Sequence, residues 1–238
     1  MPTNETVAFI CAMPMELVPL TKQLGLRKEV IDGVAVRTGM LGERRVVAVV
    51  TGMGTELAAS GTRRLLDAIT PDRVVVVGIT GAVDEETPIG ALILPERVVH
   101  SETGSEHRPT ALGEGTPHGT LWTTNVMTPP AELPGLRAKG VVALDMETAA
   151  VADECEQRGI PWSVFRAVSD RATDASLDDE VFRLANQDGT PNPRAIVRYL
   201  VKHPGAVPGL MRLAKGGNLA RNRAASAAIA AVTSAPMS

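Results

Sequence analysis

Aromatic residues are scarce in this chain, with three Phe, two Trp and one Tyr among 238 residues. The core must therefore be filled by Val, Ala, Leu, Ile and Met, a composition that suits buried parallel strands. Cysteine is nearly absent too. Cys11 and Cys155 both lie in apolar patterns, which excludes a disulfide framework and reads as two reduced, buried thiols. No apolar run approaches the roughly 20 residues that cross a bilayer, and no basic-then-apolar leader opens the chain. A cytoplasmic protein is expected. His100, His107, His118 and His203 show no metal-ligand spacing, nor do the cysteines, so neither metal nor cofactor is expected. Net charge is only −3, and no nucleic-acid partner is expected. Acid is missing from the C-terminal end: after Asp188 come Arg194, Arg198, Lys202, Arg212, Lys215, Arg221 and Arg223, with no Asp or Glu among them. That segment is a separate electrostatic object.

What is present, 44% hydrophobic and 21% charged residues, is the balance of a soluble globular protein, and the length fits one large domain. The chain is organised around Val141-Val142-Ala143-Leu144-Asp145-Met146-Glu147-Thr148-Ala149-Ala150 and its sequel Val164-Phe165-Arg166-Ala167-Val168-Ser169-Asp170. Each begins as an apolar run of strand length and ends in an acidic residue, so carboxylates are delivered at strand ends, where open α/β sheets bind their ligands. A helix starting near Thr148 and stopped by Gly159 and Pro161 separates them.

Upstream, residues 7–12 read as a strand, and Pro14 can open the helix that follows, placing Glu16 in its first turn. Residues 34–38 and 46–50 read as a strand pair around Gly42, and Thr51-Gly52-Met53-Gly54 leads into a helix over about 56–69. That glycine loop is neither a Walker loop nor a dinucleotide fingerprint. Val74-Val75-Val76-Val77 is the strongest strand and the expected centre of the sheet, ending in the glycine-containing segment Gly78-Ile79-Thr80-Gly81-Ala82. Residues 91–99 read as a strand, 101–119 as a loop and 121–124 as a brief strand. Helices are expected over 178–185, 193–202 and 205–214. The last is apolar on one side and basic on the other; packing on the domain, or disorder past Gly216, is the common outcome, and peripheral contact with anionic lipid is the alternative.

The pair Asp-Met-Glu-Thr-Ala-Ala and Arg-Ala-Val-Ser-Asp, in this order and at this separation, resembles the signature of the nucleoside phosphorylase and nucleosidase family, whose members break the bond between nucleobase and ribose. The fold this resemblance implies is α/β: a single-domain α/β/α sandwich with a mixed, mainly parallel sheet flanked by helices. Residues 1–204 would form the catalytic domain and 205–238 a basic, apolar helical tail. That tail resembles the C-terminal segment of the hopanoid-associated branch, which acts on adenosylhopane. The resemblance further implies a small-molecule nucleoside substrate and a homo-oligomer, dimer or hexamer.

Residue by residue, the resemblance makes Asp170 the acid that protonates the purine ring nitrogen, oriented by Ser169. Glu147 would accept hydrogen bonds from the ribose hydroxyls, with Met146 packed on the sugar. Cys11-Ala12-Met13-Pro14-Met15-Glu16 is similar to the nucleosidase motif whose glutamate activates the attacking water. Met53, Ile79 and Gly81 would line the pocket, and Met127 stands where an aromatic often stacks on the base, with Trp122 a poorer candidate. Phosphorylases carry phosphate-holding arginine and serine residues where this chain has Val76 and Ile79. A phosphate dianion needs charge-assisted donors, so hydrolysis is favoured over phosphorolysis. Ala91 replaces a usual aspartate, and the 101–119 segment is shorter than in common nucleosidases, pointing to a bulkier 5′ group. Taken singly, Glu16 and Glu147 are also ordinary helix N-terminal acids and Asp170 an ordinary cap. Arg166 reads as a structural ion-pair partner. A nucleoside-binding module without turnover is the alternative of a different class.

Overall fold

The computed structural model describes residues 5–172, 184, 186, 190 and 192–236. The order of elements is β1 (Thr6–Cys11), α1 (Pro14–Leu24), β2 (Arg27–Ile31), β3 (Val34–Leu41), β4 (Arg44–Val50), α2 (Thr55–Ala68), β5 (Arg73–Ala82), β6 (Leu92–Ile93), β7 (Arg97–His100), β8 (Glu106–His107) and β9 (Thr120–Thr123). There follow α3 (Leu133–Ala138), β10 (Val141–Asp145), α4 (Thr148–Glu156), β11 (Trp162–Arg171), α5 (Pro193–Lys202) and α6 (Val207–Ser234). The expected helix over 178–185 lies outside the described residues.

The strands form one mixed sheet in the order β2-β3-β4-β1-β5-β10-β9-β7-β8, with β11 on the other edge of β5 and β6 beyond it. Parallel pairing of β4, β1, β5 and β11 makes its centre. Alternation along these strands sorts side chains into two cores. Ala8, Ile10, Val74, Val76, Trp162 and Val164 face one way and join Leu65 of α2 and Ala152 of α4. Val7, Phe9, Val75, Val77, Phe165 and Ala167 face the other and join Leu20 of α1 and the alanines of α6. The three-layer α/β/α expectation holds. Cys11 and Cys155 are buried in opposite layers as free thiols, and burial pushes Cys155 up to about 12.

Several elements differ from the sequence reading. The strand of 91–99 is two pieces broken at Pro95, which has no N–H for a ladder. The C-terminal helix runs to Ser234, and Ala220, Ala224, Ala225, Ala228 and Val232 make a buried stripe at helical spacing against α1, β5 and β11. Most of the tail therefore belongs to the second core. No helix among the described residues is long and apolar enough to cross a membrane.

The strand does not end at Val77: β5 continues through the glycine segment to Ala82. Its first half pairs with β1, ending at Ile10↔Val76, and its second half picks up β10 on the same edge, starting at Leu144↔Gly81. Ile79 lies in the break between the two partners. A strand residue there presents an N–H and a C=O that must find partners elsewhere.

Candidate active site

Both backbone groups of Ile79 are taken by side chains. Its N–H donates to Glu16 Oε1 at 2.9 Å, and its C=O accepts from an Arg166 amino nitrogen at 3.3 Å. Glu16 comes from the first turn of α1, opened by Pro14, and its other oxygen accepts from the N–H groups of Ala12 and Met13, both at 2.9 Å. The ordinary role of a helix N-terminal acid is thus filled, yet the same carboxylate also closes the break in the sheet. Gly78 is required beside it. A Cβ at Gly78 would overlap both Glu16 Oε1 and the Arg166 guanidinium.

Arg166, 1% exposed on β11, gathers the acids. Its Nη2 lies 2.6 Å from Asp145 Oδ2 and 3.1 Å from Glu147 Oε2, and its Nη1 lies 3.7 Å from Glu16 Oε1. The expectation of an ion-pair partner matches this geometry. Asp145, at the end of β10, accepts from Thr123 Oγ1 at 2.7 Å and from both the N–H and the hydroxyl of Thr148, so it is Asp145 that caps α4. Glu147 occupies the N-cap position without capping. Its carboxylate turns instead to the Gly54 N–H at 3.1 Å and to Arg166. Sequence spacing could not tell which of these two acids would serve the helix.

Burial raises the pKa of Glu16 above the ordinary carboxylate value, against the opposing pull of Arg166 and three backbone N–H groups. Burial also pushes Glu147 up to about 7; Arg166 pulls it down, and Asp145 and Glu16 repel its charge. Burial disfavours the Arg166 cation, but Asp145, Glu147 and Glu16 together outweigh this and raise its pKa.

Asp170 is delivered by a β-bulge. The register of β11 on β5 runs Val168↔Thr80 and then Asp170↔Gly81, leaving Ser169 as the extra residue. The Ser169 hydroxyl lies within hydrogen-bonding reach of Asp170 Oδ1 and the Thr80 carbonyl. A Cβ at Gly81 would stand 3.3 Å from Asp170 Oδ2, so this glycine leaves room beside the carboxylate. Asp170 thus sits two residues along β5 from the Ile79 amide that Glu16 accepts. A cavity of about 260 Å³ is lined by Ser169 and Asp170 together with Glu85, Ile89, Arg171, Arg212 and Leu213. Glu16 and Glu147 are not in that lining; both lie against Arg166.

The remaining candidates are half-buried: Met53 beside Gly54, Met146 between the two acids, and Met127. The Met127 loop is fastened to the glycine loop by Asn125, whose side chain accepts from the Thr55 N–H at 2.9 Å and donates to Thr55 Oγ1 at 2.7 Å. Trp122 packs instead against Val83, Leu133, Leu136 and Val141. Gly78, Asp145, Thr123 and Thr148 were not singled out from sequence for the site. Gly78, Asp145 and Thr148 stood inside the quoted motifs, and only the packing around Arg166 reveals what they do.

The mixed sheet thus brings acids to its strand ends around a buried arginine. The fold matches the 5′-methylthioadenosine/S-adenosylhomocysteine nucleosidase of S. pneumoniae with a transition-state inhibitor, at a TM-score of 0.72 and 20% identity, over 96% of this chain and 98% of that one. It likewise matches the futalosine hydrolase of Helicobacter pylori, with a TM-score of 0.71 and 14% identity, over 96% and 97% of the two chains. The family model described as Phosphorylase superfamily matches residues 6–118 and 107–202, and the chain belongs to that superfamily. In sequence it is 30% identical to the 5′-methylthioadenosine/S-adenosylhomocysteine nucleosidase of Geobacillus thermodenitrificans, over 71% of this chain and 85% of the relative. It is 25% identical to the nucleosidase of the same name from Mycobacterium tuberculosis, over 82% and 96%.

Proposed function

We propose that this protein is a nucleosidase that hydrolyses the N-glycosidic bond of an adenine nucleoside carrying a modified 5′ group and releases the free base. The observation that carries the reading is the pair Glu16 and Glu147, tied to one buried arginine beside the break in β5, with Asp170 of β11 opposite Gly81, two residues along β5 from Ile79. The named activity of the similar nucleosidases supports it.

Breaking the bond needs a base that leaves neutral and a sugar whose growing positive charge is tolerated. Asp170, in the lining of a cavity and beside the Ser169 hydroxyl, is assigned the proton donation to the purine ring nitrogen. Glu147 accepts from the ribose hydroxyls, and Met146 packs on the sugar. Glu16, held by three backbone N–H groups and facing Arg166, positions and deprotonates the attacking water. Met53, Ile79, Gly81 and Met127 shape the apolar walls.

Phosphorolysis is disfavoured on electrostatic grounds. The buried cation at this place already serves three carboxylates, so an incoming phosphate dianion would meet acids rather than an open guanidinium. The test incubates 5′-modified adenine nucleosides with and without phosphate and separates ribose products from ribose 1-phosphates. Phosphate-independent release of adenine is expected, and strict phosphate dependence would refute hydrolysis. Asp170→Asn should lower base release by about 10²–10⁴ while leaving the circular dichroism unchanged. Tight nucleoside binding without any base release by the wild type would instead establish a binding module. The dimer or hexamer implied by the resemblance is part of the same proposal and is read by sedimentation.

A further inference from the structure

Two consecutive helices carry outward stripes that the fold does not use. On α5, Arg194, Val197, Arg198, Val201 and Lys202 recur at helical spacing, and all five are exposed, Val197 at 62% and Val201 at 78%. This helix has no buried residue. On α6, an exposed face carries Val207, Met211 and Lys215 at i, i+4 spacing, with Arg212 beside them and Arg223 further along. Val207 is 41% exposed and Met211 55%. None of these cations enters an ion pair among the described residues.

Exposed apolar side chains interleaved with cations of one sign narrow the choice of partner. A second copy docking the same face to itself would bring like charges together, which an isologous contact cannot relieve. A nucleic acid would be attracted by the arginines and lysines but would gain nothing from Val201 or Met211. An anionic bilayer rewards both, through its negative surface and its acyl boundary. We infer that the outer faces of α5 and α6 form a docking surface for anionic lipid. The cavity beside Asp170 is lined from the same helix by Arg212 and Leu213, so the docked protein holds that cavity near the lipid interface.

The experiment floats the full-length protein with vesicles of phosphatidylcholine alone or with about one third phosphatidylglycerol, at low and raised salt. Recovery with the anionic vesicles, weakened by salt, is expected. Neutralising Arg198→Gln, Lys202→Gln and Lys215→Gln together should lower partitioning roughly a hundredfold, at about fivefold per cation. The pair Val201→Ser and Met211→Ser, with charge unchanged, should lower it severalfold. Base release and circular dichroism of each variant, measured without vesicles, should match the wild type and thereby establish folding. Equal recovery with neutral and anionic vesicles would overturn the inference. So would binding that the apolar pair leaves untouched, which marks mere attraction to polyanions, or self-association that the apolar pair abolishes. The vesicle readout stands whether or not the wild type releases adenine, so it is separate from the proposed reaction.

Discussion

Replacing Arg166 by Met keeps much of its volume and removes the one cation shared by Asp145, Glu147 and Glu16. Removing one partner of a buried ion pair costs about 3–5 kcal/mol, because the opposing charge is left uncompensated. Here the cost must depend on pH. Glu147 already has its folded pKa raised from 4.5 to about 7, so the native state binds its proton more tightly than the unfolded chain does. Its contribution is fully present below pH 4.5 and is lost as pH rises through about 7, a swing of about 3 kcal/mol at 1.36 kcal/mol per unit. Arg166 opposes that shift in both Glu147 and Glu16. Without it both acids rise further, and the variant can take up protons to relieve the buried charge. Urea unfolding should therefore show the full 3–5 kcal/mol loss near pH 8 and a clearly smaller one near pH 5. A domain of ordinary stability, about 5–15 kcal/mol, survives this change and remains measurable. Arg166→Lys keeps the charge but not the planar fork and should fall between the two. A loss that is the same at both pH values, or below about 1 kcal/mol at pH 8, would refute the placement of three acids on this arginine.

Three further outcomes follow from the same geometry. If Glu147 must be ionised to accept from the ribose hydroxyls, kcat/KM should fall as pH drops through about 7, and Glu147→Gln should erase that limb from the pH–rate profile. Gly78→Ala forces a methyl group into Glu16 and Arg166, so it should cost about 1–3 kcal/mol of stability, read by urea unfolding, and more than tenfold in turnover. At Gly216 of α6 an added Cβ would overlap the Ser169 carbonyl, so Gly216→Ala should displace the bulge that carries Asp170. Ala gains up to about 1 kcal/mol of helix propensity over Gly. Near-native stability with a reduced kcat is therefore expected, and an unchanged kcat would show that α6 does not set the position of Asp170.

Much of the frame was legible because its signals are local. Residues 7–12, 74–77, 141–145 and 164–168 are apolar runs of strand length, and Pro14 and Gly159 mark helix ends as their backbone chemistry requires. The misses share a cause in tertiary packing. The β2 strand, Arg27-Lys28-Glu29-Val30-Ile31, is an exposed edge with no buried face to impose alternation. Gly78 and Gly81 made the strand read as ending at Val77, although both are strand residues whose missing side chains make room for charged groups. The alanines after Ala214 carry almost no periodic hydrophobic signal, and only their fit against the sheet makes them core. The bulge at Ser169 leaves no local trace at all; it exists in the register between β11 and β5.

The break in β5 explains why these particular acids are compatible with a stable fold. An unpartnered N–H and C=O at this half-buried strand position would together cost up to several kcal/mol, and neither β1 nor β10 pairs with Ile79. Glu16 and Arg166 solve that problem by taking the two groups, one as acceptor and one as donor. Once they are there, each side chain has charge left over, and the surplus of Arg166 is what allows Asp145 and Glu147 to be buried within the same few ångströms. The cluster is thus a consequence of two strands leaving one edge of a third. It also fixes an order of events: any substitution that restores ordinary pairing across Ile79 would release Glu16 from its backbone donor and lower activity even while the sheet became more regular.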